Sequence, residues 1–82
     1  MSEVLREEYT FYIKLGGVRA EIACEKEGDE LRVVSSYTPE EYRGRGLATK
    51  IMKEVVAYTK KNNLDIVPEC SFAVHYCSEH EC

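Results

Sequence analysis

The octapeptide Tyr42-Arg43-Gly44-Arg45-Gly46-Leu47-Ala48-Thr49 constrains the fold more than any other stretch. It joins a β-branched, strand-like run to the one long amphipathic helix. A backbone loop that enters a helix presents unpaired N–H groups and the positive end of the helix dipole. Glycines let a ligand approach that backbone without Cβ interference, and two arginines add fixed positive charge. Such a junction suits a phosphate or pyrophosphate. The plain alternative is a tight turn before the helix, with Arg43 bonding the turn carbonyls.

On either side of this loop the pattern is regular. Tyr9, Phe11, Ile13 and Leu15 alternate with Thr10, Tyr12 and Lys14, as on a half-buried strand. Gly16-Gly17 supplies a two-residue hairpin turn, and Val18, Ala20, Ile22 and Cys24 continue the alternation on a second strand. Glu27-Gly28-Asp29-Glu30 is the next turn, and Leu31 to Tyr37 a third strand, completing an antiparallel meander. Thr38-Pro39-Glu40-Glu41 resembles a helix start, but Gly44 and Gly46 follow at once, each costing about 1 kcal/mol in a helix interior. Thr38 to Arg45 is therefore expected as turn and loop, with the lasting helix beginning near Gly46.

Leu47, Ala48, Ile51, Met52, Val55, Val56 and Thr59 share one apolar face of that helix, with Lys50, Lys53, Glu54, Lys60 and Lys61 largely outside it. Asn62-Asn63 ends it, and Leu64 is placed to pack back on the last turn. Leu64 to Cys70 reads as a fourth strand, ending or bulging at Pro68, and Ser71 as the cap of a short second helix. The order is βββαβα in an α/β (α+β sandwich) fold. The strand–helix–strand crossover predicts a fourth strand parallel to the third, giving a mixed sheet.

Composition narrows the function. Eighty-two residues predict a single domain, 1–82, with one core. A net charge of −4 argues against general nucleic-acid binding, which draws its affinity from neutralised phosphates. No apolar run approaches the ~20 residues needed to span a membrane. The start, Ser2 to Glu8, is charged rather than signal-like, so the cytoplasm is the expected compartment. Cys24, Cys70, Cys77 and Cys82 read there as thiols first.

This order, with that loop in that place, resembles the GNAT superfamily of N-acetyltransferases. Arg43, Gly46 and Ala48 match the superfamily signature, and Pro68-Glu69-Cys70-Ser71-Phe72 with Tyr76 resembles a subfamily of very short, single-domain predicted acetyltransferases. The likeness runs from about Tyr9 to His80. It implies a minimal GNAT-like fold and an acetyl-CoA-dependent N-acetyltransferase acting on a small amine or an exposed peptide amine. Arg43, Gly44, Arg45, Gly46, Leu47, Ala48 and Thr49 would cradle the pyrophosphate of coenzyme A. Backbone groups near Ser36, Tyr37 and Thr38 would pair with the pantetheine arm and polarise the thioester carbonyl. The chain lacks the helices that full-length relatives carry between their first two strands, and it ends at Cys82 before their last strands. Their acceptor site and general base therefore do not transfer, and an acceptor side so open could be completed by a second copy as a homodimer.

Acetyl transfer needs a neutral amine, a polarised carbonyl and an acid for the departing thiolate. The resemblance makes Tyr76 the candidate acid; otherwise it is a core tyrosine beside Phe72. Cys70 lies where the thioester should end, and a helix N-terminus beside it favours negative charge on sulfur, so it is the candidate nucleophile. Otherwise it is a buried thiol behaving as a small hydrophobe. His75 and His80 are the histidines open to the role of base. Two other readings compete. One is a CoA-binding or acyl-CoA-sensing module without catalysis. The other is a small metal-binding domain using Cys70, His75, Cys77, His80 and Cys82, whose spacings fall near zinc windows; a disulfide between tail cysteines is a further option.

Overall fold

Alternating apolar residues carry the chain into one five-stranded sheet, order β1-β2-β3-β4-β5, in a computed structural model that describes residues 3–82. Ser2, the first residue of the charged start, lies outside them. The strands are β1 (Leu5–Glu7), β2 (Thr10–Leu15), β3 (Val18–Glu27), β4 (Glu30–Tyr37) and β5 (Asp65–Pro68); the helices are α1 (Leu47–Lys61) and α2 (Ser71–Glu79). The first three pairings are antiparallel, and β4 with β5 is parallel, as the crossover requires.

Phe11 and Ile13 of β2, Ala20, Ile22 and Cys24 of β3, and Leu31 and Val33 of β4 all turn into the core. Against them α1 lays Ile51, Met52, Val55, Val56 and Thr59. Each such aliphatic side chain contributes about 1.5–3 kcal/mol on burial. Buried Thr59 keeps its hydroxyl satisfied by donating to the Val56 carbonyl at 2.7 Å. All five charged residues expected outside that face are exposed. The helix ends as Asn62-Asn63 implies: Asn63 adopts φ 55°, and the Leu64 N–H returns to the Thr59 carbonyl at 2.8 Å. That is the Schellman arrangement, with Leu64 packed on the core.

The sequence reading has no counterpart for β1. Arg6 pairs with Phe11 in the register, so it takes a core-side position that an apolar residue would normally mark. Its guanidinium lies 4.8 Å from the centre of the Tyr58 ring, which itself meets Phe11 edge-on. The turn from β1 to β2 is also disguised, because Glu8 takes the left-handed φ of 54° that glycine usually supplies. Glu8→Gly should therefore stabilise the fold by about 0.5–1 kcal/mol, raising Tm by roughly 2–8 °C in a thermal melt. The Arg6 Nη1 bond to the Glu8 carbonyl, at 2.6 Å, survives that change because it uses backbone. A lower Tm would show that the Glu8 side chain, not the turn conformation, holds β1 in place.

Candidate functional site

The site begins where the sheet comes apart. β5 follows β4 only as far as the pair Val33 with Pro68. The next two N–H groups, of Glu69 and Cys70, both converge on the Val33 carbonyl, at 2.9 and 3.1 Å, and the chain then turns into α2. Beyond that point β4 continues to Tyr37 with β3 on one side and, among the described residues, no strand on the other. Pro68 helps to impose this, since it brings no N–H to extend the ladder.

A bulge on β4 sets which residues line the opened edge. Cys24 pairs with Val33 but Ala23 pairs with Ser35, so Val34 is the extra residue. The bulge puts Ser36 opposite Ile22, on the core side, and Tyr37 opposite Glu21 on the other. Ile22 is fully buried, whereas Ser36 and Tyr37 are exposed, so the core-side face is uncovered there.

From Tyr37 the chain passes buried Pro39 and a single 3-10 turn, Glu40–Tyr42, within the segment expected as loop. Gly44 and Gly46 then take φ of 81° and 75°, the left-handed conformation that makes glycine the favoured residue. Gly46 is the N-cap of α1 and has no side chain to offer, while its carbonyl accepts the first helical bond, from Lys50 N at 3.0 Å. Among the described residues, no backbone acceptor is recorded for the N–H groups of residues 44–49. A Cβ built on Gly46 meets nothing within 4 Å. The loop thus offers several donors and open space before them, a cradle that fits a pyrophosphate.

The two arginines serve the loop differently. Arg43 donates Nε to the Thr38 carbonyl at 2.9 Å, the bracing role that the sequence left open for it. Arg45 lies 5.2 Å over the Tyr42 ring and is exposed. Leu47, Ala48 and Thr49, the first turn of α1, are half-buried.

Cys70 is half-buried at the N-cap of α2, and its Sγ accepts the Ala73 N–H at 3.4 Å. Cys70, not Ser71, is therefore the capping residue; Ser71 is the first residue within the helix. Tyr76 is 7% exposed, with its ring 6.2 Å from Phe72 and 4.2 Å from His80. Helical tyrosines point back toward the helix N-terminus, so the phenol leans toward the Cys70 end. His80 follows the last residue of α2, and its imidazole turns back onto Tyr76, with Nδ1 bonded to the Tyr76 carbonyl at 3.1 Å. His75 is exposed and pairs with Glu79 at 3.3 Å.

Cys24 is a core residue, and burial pushes its thiol up to about 12, helped by the nearby Cys70. At neutral pH it therefore carries no thiolate for chemistry. The expectation that all four cysteines are thiols is corrected at the tail, where Cys77 and Cys82 form a disulfide. That bond removes two of the five ligands from the metal-binding alternative. No group of three or more His, Cys, Asp or Glu able to hold a metal occurs among the described residues.

Sequence reasoning missed Arg32. Its guanidinium grips Glu69 through two bonds, Nε to Oε2 at 2.7 Å and Nη2 to Oε1 at 3.1 Å, and Nη1 reaches Glu25 at 3.1 Å. This fork ties the residue before Cys70 to β4 and β3, and the Arg32 hydrogen bond holds the Glu69 carboxyl below its ordinary range. The only sequence hint was an acidic residue inside Pro-x-Cys.

A parted β4–β5 edge beside a glycine-rich helix entry frames the site, and comparison with known proteins gives its class. Residues 10–82 match the family of GCN5-related N-acetyl-transferases, and the chain belongs to that family. It is an N-acetyltransferase with a mixed α+β GNAT fold. It is similar to the NMR solution structure of a GCN5-like protein from Staphylococcus aureus, provisionally assigned as an N-acetyltransferase. The TM-score is 0.77 at 31% identity, over 94% of this chain and 78% of that one. A comparison with curated proteins gives no match. The family in general uses acetyl-CoA. No helix among the described residues is long and apolar enough to cross a membrane.

Proposed function

We propose that this protein holds acetyl-CoA between the Arg43–Thr49 loop and the parted edge of β4, and transfers the acetyl group to a small amine or an exposed peptide amine. The observation that carries this reading is the run of N–H groups at residues 44–49 with no recorded backbone acceptor, beside a strand edge that β5 leaves at Val33. Acetyl-CoA supplies the activated acyl thioester. The loop N–H groups bind pyrophosphate, and Arg43 braces the loop through Thr38. Backbone groups at Ser36, Tyr37 and Thr38 align the arm and polarise the acyl carbonyl. Cys70, at the mouth of the gap, would accept the acetyl group, its thiol proton passing by way of Tyr76 to the departing CoA thiolate, and the neutral amine would then displace the Cys70 sulfur and return a proton to it.

Calorimetric titration of the protein with acetyl-CoA tests the first half of this reading. One-to-one binding with a Kd on the order of micromolar, about −8 kcal/mol, is expected. Absence of heat at millimolar cofactor would remove the loop from the account.

A further inference from the structure

The tail holds an arrangement that acetyl transfer, as read above, leaves unused. The His80 imidazole stacks on the Tyr76 ring, with centroids 4.2 Å apart and planes 18° from parallel. Its Nδ1–H donates to the Tyr76 carbonyl at 3.1 Å, and the His80 backbone N–H donates to the same oxygen at 2.9 Å. His80 is already past the end of α2, in an exposed segment of the kind that normally frays. The Cys77–Cys82 disulfide removes that freedom. It joins the last turn of the helix to the end of the chain, with Cα atoms 5.5 Å apart, and His80 lies inside the short loop it closes.

We infer that His80 is a positioning residue for Tyr76, kept on the phenol ring by the Cys77–Cys82 disulfide. This rests on the reading of Tyr76 as the acid. His80 is bonded to the Tyr76 carbonyl and stacked on the Tyr76 ring, so its effect passes through that residue. The phenol oxygen lies on the axis of the second side-chain torsion, so its place is set by the first torsion and the tilt of the ring, and a proton is delivered only when that oxygen lies about 2.6–3.2 Å from its target. Phe72, one turn earlier, meets the ring at 6.2 Å and a 40° tilt, a looser contact than the stack from His80. Without His80 the ring loses the surface that limits its tilt, and an error of 1 Å in the oxygen it carries costs up to about 100-fold in rate.

The disulfide makes this contact sensitive to reductants. A phosphine breaks the S–S bond with two electrons from phosphorus, which leaves as phosphine oxide with the oxygen of one water. The two hydrogens of that water appear on Cys77 and Cys82. A phosphine is preferable to a dithiol because it adds no new thiol to compete for acetyl groups.

The test measures kcat and KM for acetyl-CoA in His80→Ala, His80→Phe, Tyr76→Phe and phosphine-treated wild type. His80→Ala should lower kcat roughly tenfold with KM held within about twofold, as expected when only positioning for the chemical step is lost. His80→Phe restores a stacking ring and should recover most of kcat. Phosphine treatment should reproduce the fall without any substitution, so a folding defect in a variant does not stand in its way. The Cys77→Ser/Cys82→Ser double variant should start low and ignore the phosphine. Wild-type kcat in both His80→Ala and the reduced protein, with Tyr76→Phe impaired, overturns the positioning role and leaves the acid standing. Wild-type kcat in Tyr76→Phe overturns both.

Discussion

Gly46→Val is expected to weaken acetyl-CoA binding at least about 100-fold while the domain stays folded. Gly46 holds φ at 75°, and a side chain forced into that left-handed region costs roughly 1–2 kcal/mol. The added Cβ meets no other part of the protein within 4 Å, so this backbone term is most of the folding penalty. It corresponds to a Tm lower by roughly 4–16 °C in a chain of this size. Binding suffers more, because the new methyl groups stand in the open space before the N–H groups that would grip pyrophosphate. Proline at the same position is a poorer probe, since its ring fixes φ near −65° and would rebuild the loop. Gly16→Val supplies the control. Gly16 also sits at positive φ, 78°, with nothing within 4 Å of an added Cβ, but in the β2–β3 hairpin. It should lose similar stability and keep its affinity for the cofactor. Calorimetry on both variants decides the matter: full affinity in Gly46→Val, or equal losses in the two, would remove the cradle from the mechanism.

How far the molecule could be read in advance depended on whether an element announces itself by hydrophobic period. α1 does, because one face must bury five side chains while lysines and Glu54 stay wet; those five are among the seven its spacing implies, and Leu47 and Ala48 in the first turn are half-buried. The hairpin at Gly16-Gly17 and the parallel β5 followed from turn chemistry and from the crossover. β1 was illegible because Arg6 occupies a core-side position through an aromatic face, and Glu8 turns the chain without glycine. The bulge at Val34 was also hidden, since a β-branched residue gives no local sign of an extra position; only the pairing to Ala23 and Cys24 reveals it.

The site divides along the same line. The conformation of the loop was legible because it rests on Gly44 and Gly46 at positive φ, and glycines betray backbone geometry. The surroundings of Cys70 were not, because Arg32 is 37 residues earlier in sequence and nothing local links it to Glu69. The tail was ambiguous for a different reason. Two histidines and three cysteines within thirteen residues leave metal and disulfide readings open beside the free-thiol one. Only the return of the chain after α2, which brings Cys82 to Cys77, separates them.

Cys70→Ser should bind acetyl-CoA normally and lose at least about 100-fold in kcat, the scale expected when a nucleophile is removed. Cys70 performs two tasks that one substitution must separate. Its sulfur accepts the Ala73 N–H as the N-cap of α2, and in the proposed reaction the same sulfur takes up the acyl group. Alanine removes both, and loss of a cap alone costs about 0.5–2 kcal/mol, enough to slacken the helix that carries Tyr76. Serine is among the preferred capping residues, so Cys70→Ser keeps or strengthens α2 while removing the sulfur. The Arg32–Glu69 fork on the preceding residue remains in place, so the new hydroxyl stays where the thiol was. A stable Cys70→Ser protein that binds cofactor and barely turns over identifies sulfur as the reacting atom. The same protein turning over at the wild-type rate would leave Cys70 as a cap and pass attack on the thioester directly to the amine. Cys24 cannot take over the chemistry, because burial keeps it protonated with its thiol raised to about 12.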